Sequence, residues 1–143
     1  MDDLDWLSKH CFHAVVRREA DWVFMFTENV SVVAACLWRL LEDGRIRFTS
    51  IDDGHQFGLP APLDVTSELN GRLTGTRIES VRLHAGTLDF ELRFGSRHVL
   101  QLIPDSSGYE SWNVCAGNTQ YIAVGGGELT FFATGSNSAD SSL

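Results

Sequence analysis

Cysteine and long apolar runs are both scarce in this sequence of 143 residues, and each scarcity excludes a class of protein. The three cysteines, Cys11, Cys36 and Cys115, are odd in number and scattered, so we expect reduced, buried thiols rather than a disulfide framework. The longest apolar run covers residues 32–38, far short of the ~18–20 residues that a membrane span needs. The sequence therefore predicts a protein without disulfides and without a membrane-spanning segment.

Basic residues are also few, because 11 of them stand against 19 acidic residues and leave a net charge of −8. An acidic chain repels phosphate, which argues against nucleic acid and anionic membranes as general partners. The opening Met-Asp-Asp-Leu-Asp has the wrong charge for the start of a secretory signal, so we expect a cytoplasmic protein. A charge of this sign would attract a basic protein partner.

The signatures of common catalytic and cofactor sites are missing, including G-x-S-x-G, H-E-x-x-H, C-x-x-C and the Walker lysine. Gly125-Gly-Gly127 precedes Glu128, which would repel a phosphate, so we predict a tight turn there. His10 and His13 form the most metal-like cluster, but in a strand they point to opposite faces, and zinc would need further ligands. We predict no bound metal and no cofactor.

Short amphipathic strands are what the sequence does contain. Residues 87–94 alternate most cleanly, and the pattern predicts one buried row made of Leu88, Phe90, Leu92 and Phe94. Residues 30–41 fit either a helix or a buried strand by periodicity, and we predict one strand because a hairpin turn at Glu42-Asp-Gly44 follows.

The rest of the chain predicts an α+β fold. Residues 45–51 should form a strand with Ile46 and Phe48 on one face, and helices are expected at residues 2–9 and 63–73, the second capped by Asp64. We expect eight to ten mostly antiparallel strands in a strongly bent sheet or open barrel, with two short helices outside. The length fits one domain at residues 1–133, followed by a disordered polar tail at 134–143.

Two groups of residues are candidates for function. Arg39 and Glu110 could form an ion pair beside tryptophans that fixes strand register, or could belong to a binding surface. Asp53 and His55 could support acid–base chemistry, although Asp-Asp-Gly is also ordinary turn chemistry. The candidate binding residues are Trp38, Arg39, Asp53, His55, Tyr109, Glu110 and Trp112.

Several of these residues carry a resemblance. Trp38-Arg39, Asp52-Asp53-Gly54, Leu88-x-Phe-x-Leu-x-Phe94, Leu100 and Gly108-Tyr-Glu-Ser-Trp112 together resemble a family of small bacterial domains of unknown function, over residues 12 to 132. The resemblance implies a fold and a bacterial origin, and it carries no catalytic residues. The size, the acidity and the Y-E-x-W strand are also similar to those of immunity proteins from bacterial toxin systems.

Two functions follow as expectations. The first is a non-enzymatic binding protein, of the immunity type, that masks a basic partner protein; the second is a small-molecule binder or modest enzyme with a carboxylate and histidine at a barrel mouth. A homodimer is also expected, because residues 22–26 and the pair Phe131 and Phe132 are apolar on both faces of their strands. The alternative is a monomer in which the N-terminal helix, with Trp6 and Leu7, covers that surface.

Overall fold

A computed structural model describes residues 3–133, so the predicted tail at 134–143 lies outside the described residues. The described chain forms eleven strands, a helix α1 at Val65–Leu73 and short 3-10 helices, one of them at Asp5–Lys9. The strands are β1 (Phe12–Arg17), β2 (Trp22–Phe26), β3 (Val30–Ala34), β4 (Leu37–Glu42), β5 (Arg45–Thr49), β6 (Ile78–Leu83), β7 (Phe90–Phe94), β8 (His98–Ile103), β9 (Trp112–Ala116), β10 (Thr119–Val124) and β11 (Glu128–Ala133). The α+β class and the mostly antiparallel arrangement are thereby confirmed, while the eleven strands exceed the eight to ten expected.

The strands form two antiparallel sheets. Six strands lie in the order β1-β2-β3-β9-β10-β11 and five in the order β5-β4-β8-β7-β6. A single bridge between Cys11 and Arg77 joins the two sheets just before β1 and β6. Within residues 3–133 neither sheet closes on itself, so the structure supports two open sheets and gives no support to the barrel alternative.

One hydrophobic core fills the space between the sheets. Trp38 of β4 packs edge-on against Trp22 and Phe24 of β2, with ring centroids 5.0 and 5.2 Å apart. Strand β7 runs diagonally across the other sheet, because Phe90 contacts Trp112 of β9 while Phe94 contacts the Phe12 ring of β1. The two sheets therefore cross, and aromatic rings fill the crossing.

Helix α1 closes one side of the core. Asp64 accepts a hydrogen bond from the Ser67 backbone at 3.1 Å, which confirms the predicted N-cap, and the helix buries Val65, Leu69 and Leu73. The helix lies against β1, where the Asn70 side chain accepts from the Val15 backbone at 2.8 Å. It thus satisfies a backbone donor at the edge of the six-stranded sheet.

The N-terminal helix is shorter than predicted and has 3-10 geometry at Asp5–Lys9. Leu4 and Leu7 are buried, and the Trp6 ring lies 6.2 Å from that of Tyr121 in β10. Tyr121 stands in the same cross-strand row as the fully buried Val114 and Val32. This segment therefore packs on the core side of the six-stranded sheet. On the opposite side, Val16 and Phe132 near the two edges are 44% and 49% exposed, while Ile122 of β10 is 9% exposed.

Three strand predictions need correction. Residues 30–41 form two strands, β3 and β4, in different sheets, because the chain turns at Ala35 and Cys36. A register shift between β4 and β5 leaves Ile46 57% exposed and Phe48 2% exposed, so the two do not share a face. Strand β7 begins at Phe90 rather than at residue 87, although the predicted row is buried throughout, with Leu88 at 2%.

Candidate functional site

Three loops that are far apart in the sequence meet at one end of the molecule and line an open cleft of about 390 Å³. They are the β6–β7 loop with Gly86 and Thr87, the β8–β9 loop with residues 104–107, and the β10–β11 turn with Gly126 and Gly127. The polar residues of its lining are Thr87, Asp105, Ser106 and Ser107. The predicted turn at Gly125–Gly127 is confirmed, and it forms one wall of this cleft.

Two of the glycines in this turn are required by close approach of the backbones. A Cβ on Gly127 would collide with the carbonyl oxygen of Gly86, and one on Gly125 would lie 2.5 Å from that of Ser107. Gly127 also has a φ of +86°, which an L side chain rarely adopts. The turn therefore packs directly on the backbones of the other two loops, and this contact fixes the shape of the cleft.

The cleft is electronegative. Asp105 lines the cleft. Leu88 lines it as well, and Asp89 is the next residue in the chain. Burial raises the pKa of the nearby Cys36 thiol to about 12, and the charges of Asp105 and Asp89 add to that rise. No lysine or arginine among residues 3–133 lines the cleft, and none of them forms an ion pair with either carboxylate.

Tyr109 and Glu110 extend from the same β8–β9 loop. The Ser106 hydroxyl accepts hydrogen bonds from the backbones of Gly108 and Tyr109 at 3.1 and 3.0 Å, and these bonds hold the loop in a tight turn. Tyr109 is 81% exposed, and Glu110 is exposed beside it. Two of the predicted binding residues therefore stand on the loop that supplies Asp105.

Asp53 has a structural role. One carboxylate oxygen accepts from Arg17 at 2.7 Å, and the other accepts from the Val65 backbone at the start of α1 at 2.9 Å. His55 is exposed and stacks on Phe57. No hydrogen bond or ion pair joins Asp53 to His55 in the described chain, and the turn chemistry weighed for Asp-Asp-Gly fits what the structure shows.

The remaining predicted binding residues lie elsewhere. Trp38 and Trp112 are 0% and 1% exposed, so they offer no surface to a partner in this conformation. Trp112 supports the cleft indirectly, because its indole N–H donates to the Leu88 carbonyl at 2.9 Å and fixes the β6–β7 loop. Arg39 does not pair with Glu110; it donates to Gln101 at 2.6 Å on the outer face of the five-stranded sheet.

Sequence reasoning missed most of the cleft. Asp105, Ser106 and Ser107 belong to a Pro-Asp-Ser-Ser-Gly segment, whose residue types are those of an ordinary connecting turn. Thr87 was assigned to the strand that in fact begins at Phe90. No local signal distinguishes these residues from those of an ordinary turn, because the cleft exists only where three loops converge.

Residues 3–133 hold no group of three or more histidine, cysteine, aspartate or glutamate side chains placed to bind a metal ion. His10, part of the metal-like cluster, instead has its Nδ1 3.1 Å from the Thr27 carbonyl oxygen and 3.3 Å from the Thr27 hydroxyl. No helix in the same residues is both long and apolar enough to cross a membrane.

Comparison with known proteins finds no matching family model, no similar curated protein and no similar solved structure. The resemblance to a family of small bacterial domains, and the looser one to immunity proteins, stay predictions.

Proposed function

We propose that this chain is a non-enzymatic binding protein that masks a basic surface of a partner protein, and that the cleft lined by Asp105 is where it binds. The observation that carries the proposal is an open cleft lined by Asp105 and by hydroxyl side chains, with no lysine or arginine among residues 3–133 in its lining. A guanidinium or ammonium group of a partner would supply both the missing positive charge and hydrogen-bond donors.

Tyr109 gives this cleft an aromatic neighbour. A tyrosine that is 81% exposed is a typical interface anchor, and its ring face attracts cations. The net charge of −8 would accelerate the encounter with a basic partner at low ionic strength. An immunity-type role, in which the chain covers the active surface of a basic toxin, is the most concrete form of this proposal.

The rival function needs a carboxylate and a histidine free to act together. Both oxygens of Asp53 are already engaged by Arg17 and by the backbone of Val65, while His55 stacks on Phe57 at the surface. This arrangement favours a binding protein over an enzyme that uses these two residues.

A hexa-arginine peptide is a suitable probe of the cleft. Titration by calorimetry at low salt should show binding that weakens strongly at 0.5 M salt, because the contacts are ionic. Asp105→Asn should weaken the affinity by about tenfold, the loss of one charge-assisted hydrogen bond. Glu79→Gln is the matched control, because it removes the same charge at an exposed position at the start of β6.

Equal weakening by both variants would show that the peptide responds to net charge alone, and that result would overturn the cleft as the site. Absence of binding to the unmodified protein at low salt would overturn it as well. Tyr109→Ala should also weaken binding of the peptide. The salt dependence of binding should stay the same in this variant, because the tyrosine ring carries no charge.

A further inference from the structure

We infer that the outer face of the six-stranded sheet is the interface of a two-fold homodimer of this chain. Two cross-strand rows run across all six strands of this face, and strand pairing identifies their members. One row is Ala14, Met25, Ser31, Cys115, Gln120 and Phe132; the other is Val16, Val23, Val33, Asn113, Ile122 and Thr130. None of these residues lines the Asp105 cleft, so the inference does not depend on the proposed function. Beyond the two rows, at the turn end of β10 and β11, lies the pair Val124 and Glu128.

Neither row contains a charged side chain, although the chain carries 19 acidic residues and 11 basic ones. The corresponding face of the five-stranded sheet is different, because there Arg39, Gln101, Glu91 and Arg82 occupy one row. A solvated outer sheet face normally carries polar and charged residues, as the second sheet does. The uncharged face of the first sheet is instead typical of a surface that another layer covers.

The described chain does not supply that layer. Helix α1 packs on β1 beside the core, and the Asp5–Lys9 segment packs through Trp6 on the core side of β10. The N-terminal helix, which was the expected alternative cover, is therefore on the wrong side of the sheet. Residues 134–143 contain one large apolar residue, Leu143, so their composition does not match this face.

A second copy of the chain fits the face better than a charged partner does. Two copies with a net charge of −8 repel each other, and an uncharged face lets them meet without burying any carboxylate. The polar members of the rows are hydroxyls and amides such as Ser31, Asn113 and Gln120. Each of these groups both donates and accepts, so across a two-fold axis over β9 Asn113 can pair with its own counterpart and Ser31 with Gln120 of the other copy.

The face also carries a protruding ring and a groove that can receive it. Phe132, at the β11 edge, is 49% exposed. Near the other edge, a groove of about 360 Å³ begins on the face at Val23, Met25 and Ser31 and extends around the end of β2 and β3, where it is lined by His13, Phe26, Asn29 and Val30. Phe132 and Met25 belong to the same cross-strand row. A two-fold axis parallel to the strands and midway between them therefore brings each Phe132 over the groove of the other copy.

The overlapping area is about half of what a standard dimer interface contributes. With the axis over β9, five strands of each copy overlap and span about 24 Å at ordinary spacing, while five residues along a strand span about 17 Å. The resulting projected area is about 410 Å², against the ~800 Å² of accessible surface that each partner contributes to a standard interface. Projected area understates accessible area on a pleated face with protruding side chains.

Two variants of neighbouring residues test the inference. Phe132→Glu and Phe131→Glu have the same composition and net charge, but Phe131 points to the core side of the sheet, where its ring contacts Tyr121 at 5.0 Å. By light scattering at micromolar concentration we expect a mass near twice 15.9 kDa for the unmodified chain and for Phe131→Glu. Phe132→Glu should weaken the dimer by at least about 30-fold.

A charge exchange tests the placement of the axis. Met25→Lys should also weaken the dimer, and adding it to Phe132→Glu should restore the dimer, because the two side chains then meet across the interface as an ion pair. Circular dichroism of each variant checks that it is folded. A mass of 15.9 kDa for the unmodified chain, unchanged on dilution, would overturn the inference.

Two other results would also overturn it. Equal weakening by Phe131→Glu and Phe132→Glu would indicate edge-to-edge pairing through β11 instead of face packing. Failure of Met25→Lys to rescue Phe132→Glu would contradict the two-fold placement that brings the Phe132 ring to the groove.

Discussion

Phe90 shows at the residue scale how the two sheets hold each other. Its side chain is fully buried in β7, and its ring lies 4.6 Å from that of Trp112 in the opposite sheet. We expect Phe90→Ala to reduce the free energy of unfolding by about 3–5 kcal/mol, because it leaves a cavity at the crossing. Urea unfolding measures the change, with Phe57→Ala as the control.

Phe57 is 67% exposed, so its replacement should change the free energy of unfolding by less than about 0.5 kcal/mol. A loss at Phe90 no larger than that at Phe57 would contradict the assigned packing of β7.

Cys36 is a second residue whose surroundings determine its chemistry. Burial first, and then the charges of Asp105 and Asp89, raise the pKa of its thiol to about 12. The thiol should therefore stay protonated and react with iodoacetamide at pH 8 only when the chain unfolds. Mass spectrometry of native and urea-unfolded protein measures this; labelling of Cys36 in the native state as fast as that of half-buried Cys11 would contradict it.

The same shift in pKa affects stability at high pH. A thiol whose pKa is raised in the folded state contributes its full stabilisation at pH values below its ordinary pKa of 9.0, because there the thiol is protonated in both the folded and the unfolded chain. Above this value the unfolded chain loses its proton first, so the contribution of Cys36 to stability should fall between pH 9 and about 12.

Glu42 connects three elements. At the end of β4 it accepts hydrogen bonds from His98 of β8 at 3.0 Å and from Arg72 of α1 at 2.9 Å. These two hydrogen bonds lower the pKa of the Glu42 carboxyl to about 2, and the bond from His98 contributes more than the bond from Arg72. A cluster of this kind at the end of a strand holds the helix to the five-stranded sheet through charge rather than through apolar contact.

The lowered pKa of the Glu42 carboxyl predicts how the stability of the folded chain falls in acid. Glu42 stabilises the folded chain fully above its ordinary pKa of 4.5, and this contribution is lost as the pH falls from 4.5 to about 2. Glu42→Gln should therefore lower the melting temperature near neutral pH and flatten its decline across that interval. Glu79→Gln is the control, and an unchanged decline in Glu42→Gln would contradict the assigned role.

At the scale of the whole molecule, one core joins both sheets and α1. Buried residues of β2, β4, β7 and β9 contact one another across the crossing, so neither sheet can separate without exposing the aromatic rings of the other. We expect a single cooperative unfolding transition. Far-ultraviolet circular dichroism and tryptophan fluorescence should give coincident curves, and separate midpoints would indicate that the sheets unfold independently.

Much of the fold follows from local pattern. Alternation placed Leu88, Phe90, Leu92 and Phe94 in the core, and the aspartate before an apolar i, i+4, i+8 series located α1 and its cap. Pattern failed where a neighbouring strand decided the outcome. The register shift that separates Ile46 from Phe48 arises in the pairing of β4 with β5, and the break at residues 35–36 sends one apolar run into two sheets.

The candidate site was less accessible to prediction than the fold. Tyr109 and Glu110 were selected for their residue types, and they stand on the loop that supplies Asp105. Trp38 and Trp112 were selected for the same reason and lie in the core, because an aromatic side chain suits a core and an interface equally well.

The sequence by itself determined the acidic charge, the strand-rich α+β class, the capped helix and the buried row of β7, since each depends on composition or on residues close together in the chain. The tertiary structure alone decided which faces and clefts stay open. The cleft exists because the backbones of three distant loops meet at glycines, and the uncharged face is visible only after strand pairing aligns the rows of six strands. Contacts between distant segments have no local sequence signal, because they depend on how the sheets cross.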